Sequence, residues 1–148
     1  MQIRGNCQCC GKQQAIVNGF MSKHGYTVNH GWFSGVCSGR NFAPLQISRK
    51  HTDDLIVQII NEIPELLAKA DKVKLGEILP EFCEIRKGFG KREKISFSDA
   101  TAKQKYDARN SMEWDLRNRA YAGKNFITEM SELANKFYQT ELIAVEKN

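Results

Sequence analysis

The chain has 148 residues, of which 41% are hydrophobic and 26% charged, and its formal net charge is +5. This length and composition indicate one domain, or one domain with a small appended module, and exclude wholesale disorder. No apolar run reaches the roughly 18 residues of a membrane-spanning helix, and the first six residues do not resemble a secretion signal. We therefore expect a cytoplasmic protein that does not bind membranes.

Positive charge is concentrated in the first third of the sequence. Residues 1–52 contain six Lys and Arg and no acidic residue, whereas residues 53–148 contain all 17 acidic residues. We predict a basic module at 1–52 and a near-neutral, mainly helical body at 53–148. A cationic module favours association with phosphate backbones or with acidic protein surfaces.

Glycines at short intervals predict that the basic module consists of short strands and tight turns. Asn18-Gly19 is a hairpin signal, because both residues tolerate positive φ. A module of this size buries too little apolar area to fold alone and needs a metal or disulfides.

Four of the five cysteines lie in this module, and in a cytosolic chain they favour a metal over disulfides. Cys7 and Cys10 form a Cys-x2-Cys-Gly knuckle whose glycine lets the backbone turn, so that both thiolates reach one ion. His24 and Cys37 complete a three-sulfur, one-nitrogen set typical of a closed structural Zn2+ site.

Two other residues could take part in this site. His30 could replace His24, and Cys9 could compete with Cys7 or Cys10. We favour His24 because it lies beside a predicted turn.

Aromatic side chains crowd into residues 20–42, and such a small module cannot bury all of them. Exposed rings among Lys and Arg can stack on single-stranded nucleic acid or anchor a protein partner. The rings are Phe20, Tyr26, Trp32, Phe33 and Phe42.

The body begins with an amphipathic helix that we expect Thr52 to cap. Pro64 should kink or restart this helix. Residues 72–97 are ambiguous between strand and helix, with Cys83 as a small core residue. Within them, residues 86–94 form a basic loop of net charge +4 around Phe89, suited to contacting a phosphate backbone.

The sequence pattern in the rest of the body predicts two helices and a final strand. We expect a long helix that begins at Ser98, buries a core face that includes Tyr106, and ends at Gly123. A second helix covers roughly 125–138, and 142–145 form a closing strand. The fold class is α+β, with a zinc-stapled, β-hairpin-rich module packed on a helical body.

Four stretches of the basic module resemble a known group of proteins: Cys-x2-Cys-Gly-Lys-Gln-Gln-Ala-Ile-Val at 7–17, Lys-His-Gly-Tyr-Thr-Val at 23–28, Gly-Trp-Phe-Ser-Gly-Val-Cys-Ser-Gly at 31–39 and Ala-Pro-Leu at 43–45. They are similar to small zinc-finger-like proteins of bacteriophages and plasmids, whose function is unknown. The resemblance covers about the first 45 residues and matches the four residues of the predicted zinc site. It implies a mobile-element protein in the bacterial cytoplasm, and accessory proteins of this kind often bind a host machine.

The predicted function is therefore non-enzymatic. We expect a phage or mobile-element accessory factor that binds a nucleic-acid-handling host protein complex, as an inhibitor or adaptor, for example in counter-defence. The alternative is direct nucleic-acid binding. The residues predicted to contact either partner are Lys12, Lys23, Trp32, Phe33, Arg40, Arg86, Lys87, Phe89, Lys91, Arg92 and Lys94.

A second alternative is a metal-dependent nuclease of the HNH type that uses His30, Asn41 and His51. The histidine pair usual in its first strand is missing, and residues 1–52 offer no acid to hold a catalytic metal.

Overall fold

The computed structural model describes residues 1–25 and 35–146. The model confirms the predicted α+β class, because it contains both β-strands and α-helices. Two compact units are formed, one from Met1–Asn61 with Ala122–Asn148 and one from Glu62–Tyr121. The predicted division at 52/53 stays a prediction. No helix in the described residues is both long enough and apolar enough to cross a membrane.

The first unit contains a four-stranded antiparallel sheet in the order β3-β2-β1-β6. Its strands are β1 (Gln2–Asn6), β2 (Gln13–Val17), β3 (Phe20–Met21) and β6 (Ile143–Val145). Asn18 and Gly19 connect β2 to β3 with φ angles of 51° and 83°, which agrees with the predicted hairpin turn. The predicted closing strand pairs with β1, where Ile3 lies opposite Ala144.

Helix α1 (Lys50–Lys74) begins before the predicted cap and runs through Pro64 without a break. Ser48 Oγ accepts a hydrogen bond from the Lys50 N–H at 3.3 Å. Thr52 does not cap the helix, because its hydroxyl donates instead to the Gln8 carbonyl oxygen at 2.6 Å. This contact with a residue far away in the sequence explains why local reasoning misplaced the helix start.

Residues 82–96 form a β-hairpin in the second unit, where the sequence left strand and helix open. Strands β4 (Phe82–Arg86) and β5 (Arg92–Ser96) pair along their whole length. Of the predicted basic loop at 86–94, Arg86 and residues 92–94 belong to the strands, and residues 87–91 form the turn between them. Cys83 is buried as predicted, with 1% of its surface exposed.

Helix α2 (Ala102–Phe137) is one continuous helix of 36 residues, so the prediction of two helices separated at Gly123 was wrong. Gly123 is buried inside the helix, and packing there outweighs its low helix propensity. The helix also begins later than predicted. Thr101 and Gln104 exchange side-chain-to-backbone hydrogen bonds of 2.9 and 3.2 Å in a capping box. Tyr106, predicted to be core, is 65% exposed.

Among the described residues of the first unit, the largest buried side chain is Phe126, whose surface is fully covered. Met130 and Leu133 lie on the same part of α2, and both contact the position where a Cβ would stand on Gly11. The turn that carries the first two cysteines therefore packs directly on this helix without an intervening side chain.

Candidate metal centre

Cys7 and Cys10 lie on a tight turn directly after β1, which we call the knuckle (residues 7–11). The Gly11 N–H donates to the Cys7 carbonyl oxygen at 2.9 Å, and Gly11 has a φ of 75°. This left-handed conformation is easy for glycine and strained for other residues. The turn brings the two cysteines to one side of the backbone.

His24 and Cys37 are held side by side by backbone pairing. Gly25 and Val36 form an isolated antiparallel bridge, and the Cys37 N–H donates to the His24 carbonyl oxygen at 2.9 Å. A short 3-10 turn at Ser38–Asn41 follows, in which the Gly39 N–H donates to Cys37 Sγ at 3.4 Å.

The donor atoms of Cys7, Cys10, His24 and Cys37 all lie within 4.8 Å of one another. Cys7 Sγ is 3.7 Å from Cys37 Sγ, and Cys10 Sγ is 3.3 Å from His24 Nε2. Sulfur and nitrogen donors on one tetrahedral ion lie about 3.6–3.8 Å apart, given metal–ligand bonds of about 2.0–2.3 Å. The four side chains could thus hold a metal ion with little movement.

The ring of His24 is oriented for coordination through one nitrogen. Its Nδ1 lies 2.6 Å from the Ser22 carbonyl oxygen, which can only accept, so Nδ1 carries the proton. Nε2 then presents its lone pair to the sulfurs, an arrangement common among metal-bound histidines. The Cys9 N–H lies 3.4 Å from Cys7 Sγ and donates to it.

Crowding of the sulfurs affects their protonation. Side-chain hydrogen bonds with Cys10 and Cys37, together with burial, raise the pKa of Cys7. The hydrogen bond with Cys37 is the main cause that raises the pKa of Cys10. These thiols keep their protons unless a cation displaces them. Four protein donors leave no open position for a substrate, so such a centre would be structural.

The predicted partner-binding residues fall into two groups. In the first unit, Lys23 and Arg40 are exposed and Lys12 is half-buried. The second group lies on the β4–β5 hairpin of the second unit, and all of its members are exposed: Arg86, Lys87, Phe89, Lys91, Arg92 and Lys94. Trp32, Phe33 and His30 lie outside the described residues.

Sequence reasoning missed three buried amide side chains that support the knuckle. Asn6 N–H donates to Gln46 Oε1 at 3.0 Å, and Gln46 Nε2 donates to Asn6 Oδ1 at 2.8 Å. Gln8, only 2% exposed, donates to the Ala43 carbonyl oxygen and accepts from the His51 N–H at 2.9 Å. No pattern in the sequence distinguishes these amides from surface residues.

Cys9, which also lies on the knuckle, pairs with His51. Its Sγ lies 3.2 Å from His51 Nε2 and 3.3 Å from Ser38 Oγ. The His51 ring stacks on Phe42 at a centroid distance of 3.6 Å, and burial lowers the pKa of His51. His51 and Asn41, both named in the nuclease alternative, line one cleft of about 330 Å³.

No protein-family model matches the chain, and neither the curated proteins nor the solved structures give a match. The metal centre and the charged surfaces therefore carry the functional interpretation, and the resemblance to phage and plasmid proteins stays a prediction.

Proposed function

We propose that Cys7, Cys10, His24 and Cys37 bind a structural Zn2+ ion that stabilises the first unit. The observation that carries this proposal is the convergence of three sulfurs and one oriented imidazole within 4.8 Å. Thiolate and imidazole donors in a closed tetrahedral set are typical of zinc. Binding of this kind contributes on the order of 10 kcal/mol to folding, because the site forms only when the chain folds.

Metal analysis tests this proposal directly. Metal-free protein is refolded with Zn2+, separated from free ions by gel filtration and analysed for zinc. We expect bound zinc and a melting temperature that drops when a chelator removes it. Cys10→Ser should lower both, whereas Cys83→Ala, which changes a buried cysteine of the second unit, should keep the zinc. A folded wild-type chain without zinc would contradict the proposal.

The protein's role, in this proposal, is to bind a partner through its basic surfaces. On the hairpin, Lys87 pairs with Glu93 and Arg92 pairs with Glu84. Arg86, Lys91 and Lys94 are exposed and form no salt bridge within the part of the chain that the structure describes. Their charges are therefore available to an acidic partner.

Phe89 lies at the tip of this hairpin and is completely exposed. It stands between Gly88 and Gly90, which both have positive φ. A large exposed aromatic ring on a hairpin that also carries unpaired cations is typical of a binding hot spot. Together with the resemblance to mobile-element proteins, this supports an accessory factor that binds an acidic surface of a host protein complex handling nucleic acid.

Direct binding of nucleic acid is a second candidate function. The exposed Phe89 ring favours it, because bases stack on exposed aromatic rings while lysines contact phosphates. Electrophoretic mobility shifts with single- and double-stranded DNA at two salt concentrations separate the candidates, since phosphate binding weakens steeply with salt. The protein candidate instead predicts a stoichiometric complex isolated from bacterial lysate and no shift of free DNA. Phe89→Ala should weaken whichever interaction occurs, and the exposed Lys69→Ala serves as control.

A further inference from the structure

The second unit contains a groove of about 640 Å³ between the open end of the β4–β5 hairpin and one face of α2. Apolar side chains line part of this groove, among them Phe82 from β4 and Met112 and Leu116 from α2. Phe82 is 55% exposed, and Met112 and Leu116 are half-buried. The groove therefore presents apolar surface that the folded chain leaves partly uncovered.

The same groove is lined by acidic side chains, and none of its lining residues is basic: the acids are Glu81, Glu84, Asp107 and Asp115. Glu84 pairs with Arg92 at 3.3 Å. Glu81, Asp107 and Asp115 are exposed and form no salt bridge with any residue that the structure describes. Asp107 and Asp115 lie about 12 Å apart along α2. We call this surface the acidic groove; it suits an occupant that is both apolar and cationic.

The hairpin tip (residues 86–91) has the complementary composition. Phe89 is completely exposed, and Arg86 and Lys91 are exposed cations without a salt bridge in the described part of the chain. An aromatic ring beside two unpaired cations matches an apolar surface beside unpaired carboxylates. None of the tip residues lines the groove, so the tip does not fill the groove of its own chain.

The length of the hairpin permits this contact between two copies of the chain. The groove lies at the open end of the hairpin, where Phe82 pairs with Ser96, and Phe89 lies at the opposite end. Five residues of strand separate the two ends by about 16 Å. Two hairpins that lie side by side in opposite directions about a two-fold axis therefore place each tip at the groove of the other copy. Such an isologous contact is made twice.

We propose that two copies of this chain form a two-fold symmetric dimer in which the hairpin tip of each copy occupies the acidic groove of the other. Burial of the Phe89 ring supplies most of the affinity, and the charge pairs orient the contact. The dimer lies within the second unit and does not depend on the metal centre. It covers the hairpin surface that the proposed function offers to an acidic partner, so self-association and partner binding compete.

Sedimentation velocity of the full-length wild-type protein over a range of concentrations tests self-association without any variant. We expect a shift from monomer to dimer as concentration rises. Phe89→Ala should raise the dissociation constant of the dimer at least about tenfold, as for other hot-spot rings. A wild-type chain that stays monomeric overturns the inference, and a dimer unchanged by Phe89→Ala overturns the assignment to the tip. Mobility shifts and capture from lysate report on the proposed function separately.

Charge reversal tests which two surfaces meet. One variant combines Asp107→Lys with Asp115→Lys and has a basic groove, and the other combines Arg86→Glu with Lys91→Glu and has an acidic tip. All four residues are exposed, so both variants should fold, which circular dichroism verifies. Each variant alone should be monomeric, because its tip and groove carry the same sign of charge. An equimolar mixture should form a heterodimer, because both tips then meet a groove of opposite charge.

The matched control combines Glu129→Lys with Glu141→Lys, which reverses two exposed acids of the first unit. It changes the net charge as much as the basic-groove variant does and should dimerise like the wild type. Equal loss of the dimer in this control would show that net charge, and not the groove, governs association. A mixture of the two reversed variants that stays monomeric overturns the reciprocal contact.

Discussion

Gly39→Ala tests the packing of the metal centre, because Gly39 leaves room for the Cys7 sulfur. A Cβ at this position would overlap Cys7 Sγ and lie 3.2 Å from Cys37 Sγ, whereas non-bonded heavy atoms rest about 3.5–4.0 Å apart. Gly39 has no positive φ, so the cost of the substitution is steric rather than conformational. Overpacking of this kind costs about 1–3 kcal/mol, and the displaced sulfur also weakens the metal site.

The measurements for this variant are zinc affinity, by competition with a chromophoric chelator, and the free energy of unfolding in urea. We expect zinc affinity to fall at least tenfold and unfolding free energy by about 3 kcal/mol, the upper end of the range for overpacking. Gly19→Ala is the matched control, since Gly19 has a φ of 83° and nothing within 4 Å of its Cβ position. It should cost about 1 kcal/mol through backbone strain alone and leave zinc affinity unchanged. Equal zinc affinity and stability in the two variants would refute the reasoning.

Three further predictions concern the core, a helix terminus and pH. Phe126→Ala removes a fully buried ring and should cost about 3–5 kcal/mol in a urea titration; a loss under 1 kcal/mol would contradict the described core. Thr101→Ala removes one half of the capping box and should cost about 1 kcal/mol, seen as a lower melting temperature that Thr128→Ala, inside α2, does not reproduce. The raised pKa of Cys7 means that zinc displaces a proton, so zinc affinity should fall about tenfold per pH unit for each proton as pH is lowered. In metal-free protein the pH dependence of stability has the opposite sign. The folded chain keeps the Cys7 thiol protonated, so the free energy of unfolding falls as the pH rises above 9.0, the ordinary pKa of a thiol. Chelator competition and urea titrations between pH 6 and 10 check both signs, and a pH-independent affinity would be incompatible with the raised pKa.

The four residues of the candidate metal centre could be predicted from the sequence because the constraint on them is local and chemical. A Cys-x2-Cys-Gly knuckle supplies two donors, and the few remaining Cys and His residues of the module limit the choice of the other two. Histidine orientation and sulfur packing could not be predicted. The first depends on the backbone conformation that turns the Ser22 carbonyl oxygen toward the His24 ring. The second depends on the approach of Gly39 to Cys7, which lie far apart in the sequence.

Errors in the helices have a common physical origin. Gly123 looked like a helix end because of its low propensity, yet it is buried within α2, where tertiary packing decides the conformation. Thr52 looked like a cap, yet Gln8 engages its hydroxyl. The hairpin at 82–96 escaped prediction because five of its residues are basic, although Cys83 and Ile95 lie directly opposite each other as its inward pair.

The pairing of β1 with β6 gives the first unit an order of assembly. The four residues that converge in the candidate metal centre lie between residues 7 and 37, so a nascent chain can gather them soon after synthesis begins. The sheet is completed only when Ile143–Val145 reaches β1, across a loop whose closure is entropically slow. We expect refolding to show two kinetic phases, with ion uptake preceding strand docking, and a ribosome-bound chain stalled before β6 to hold its metal already.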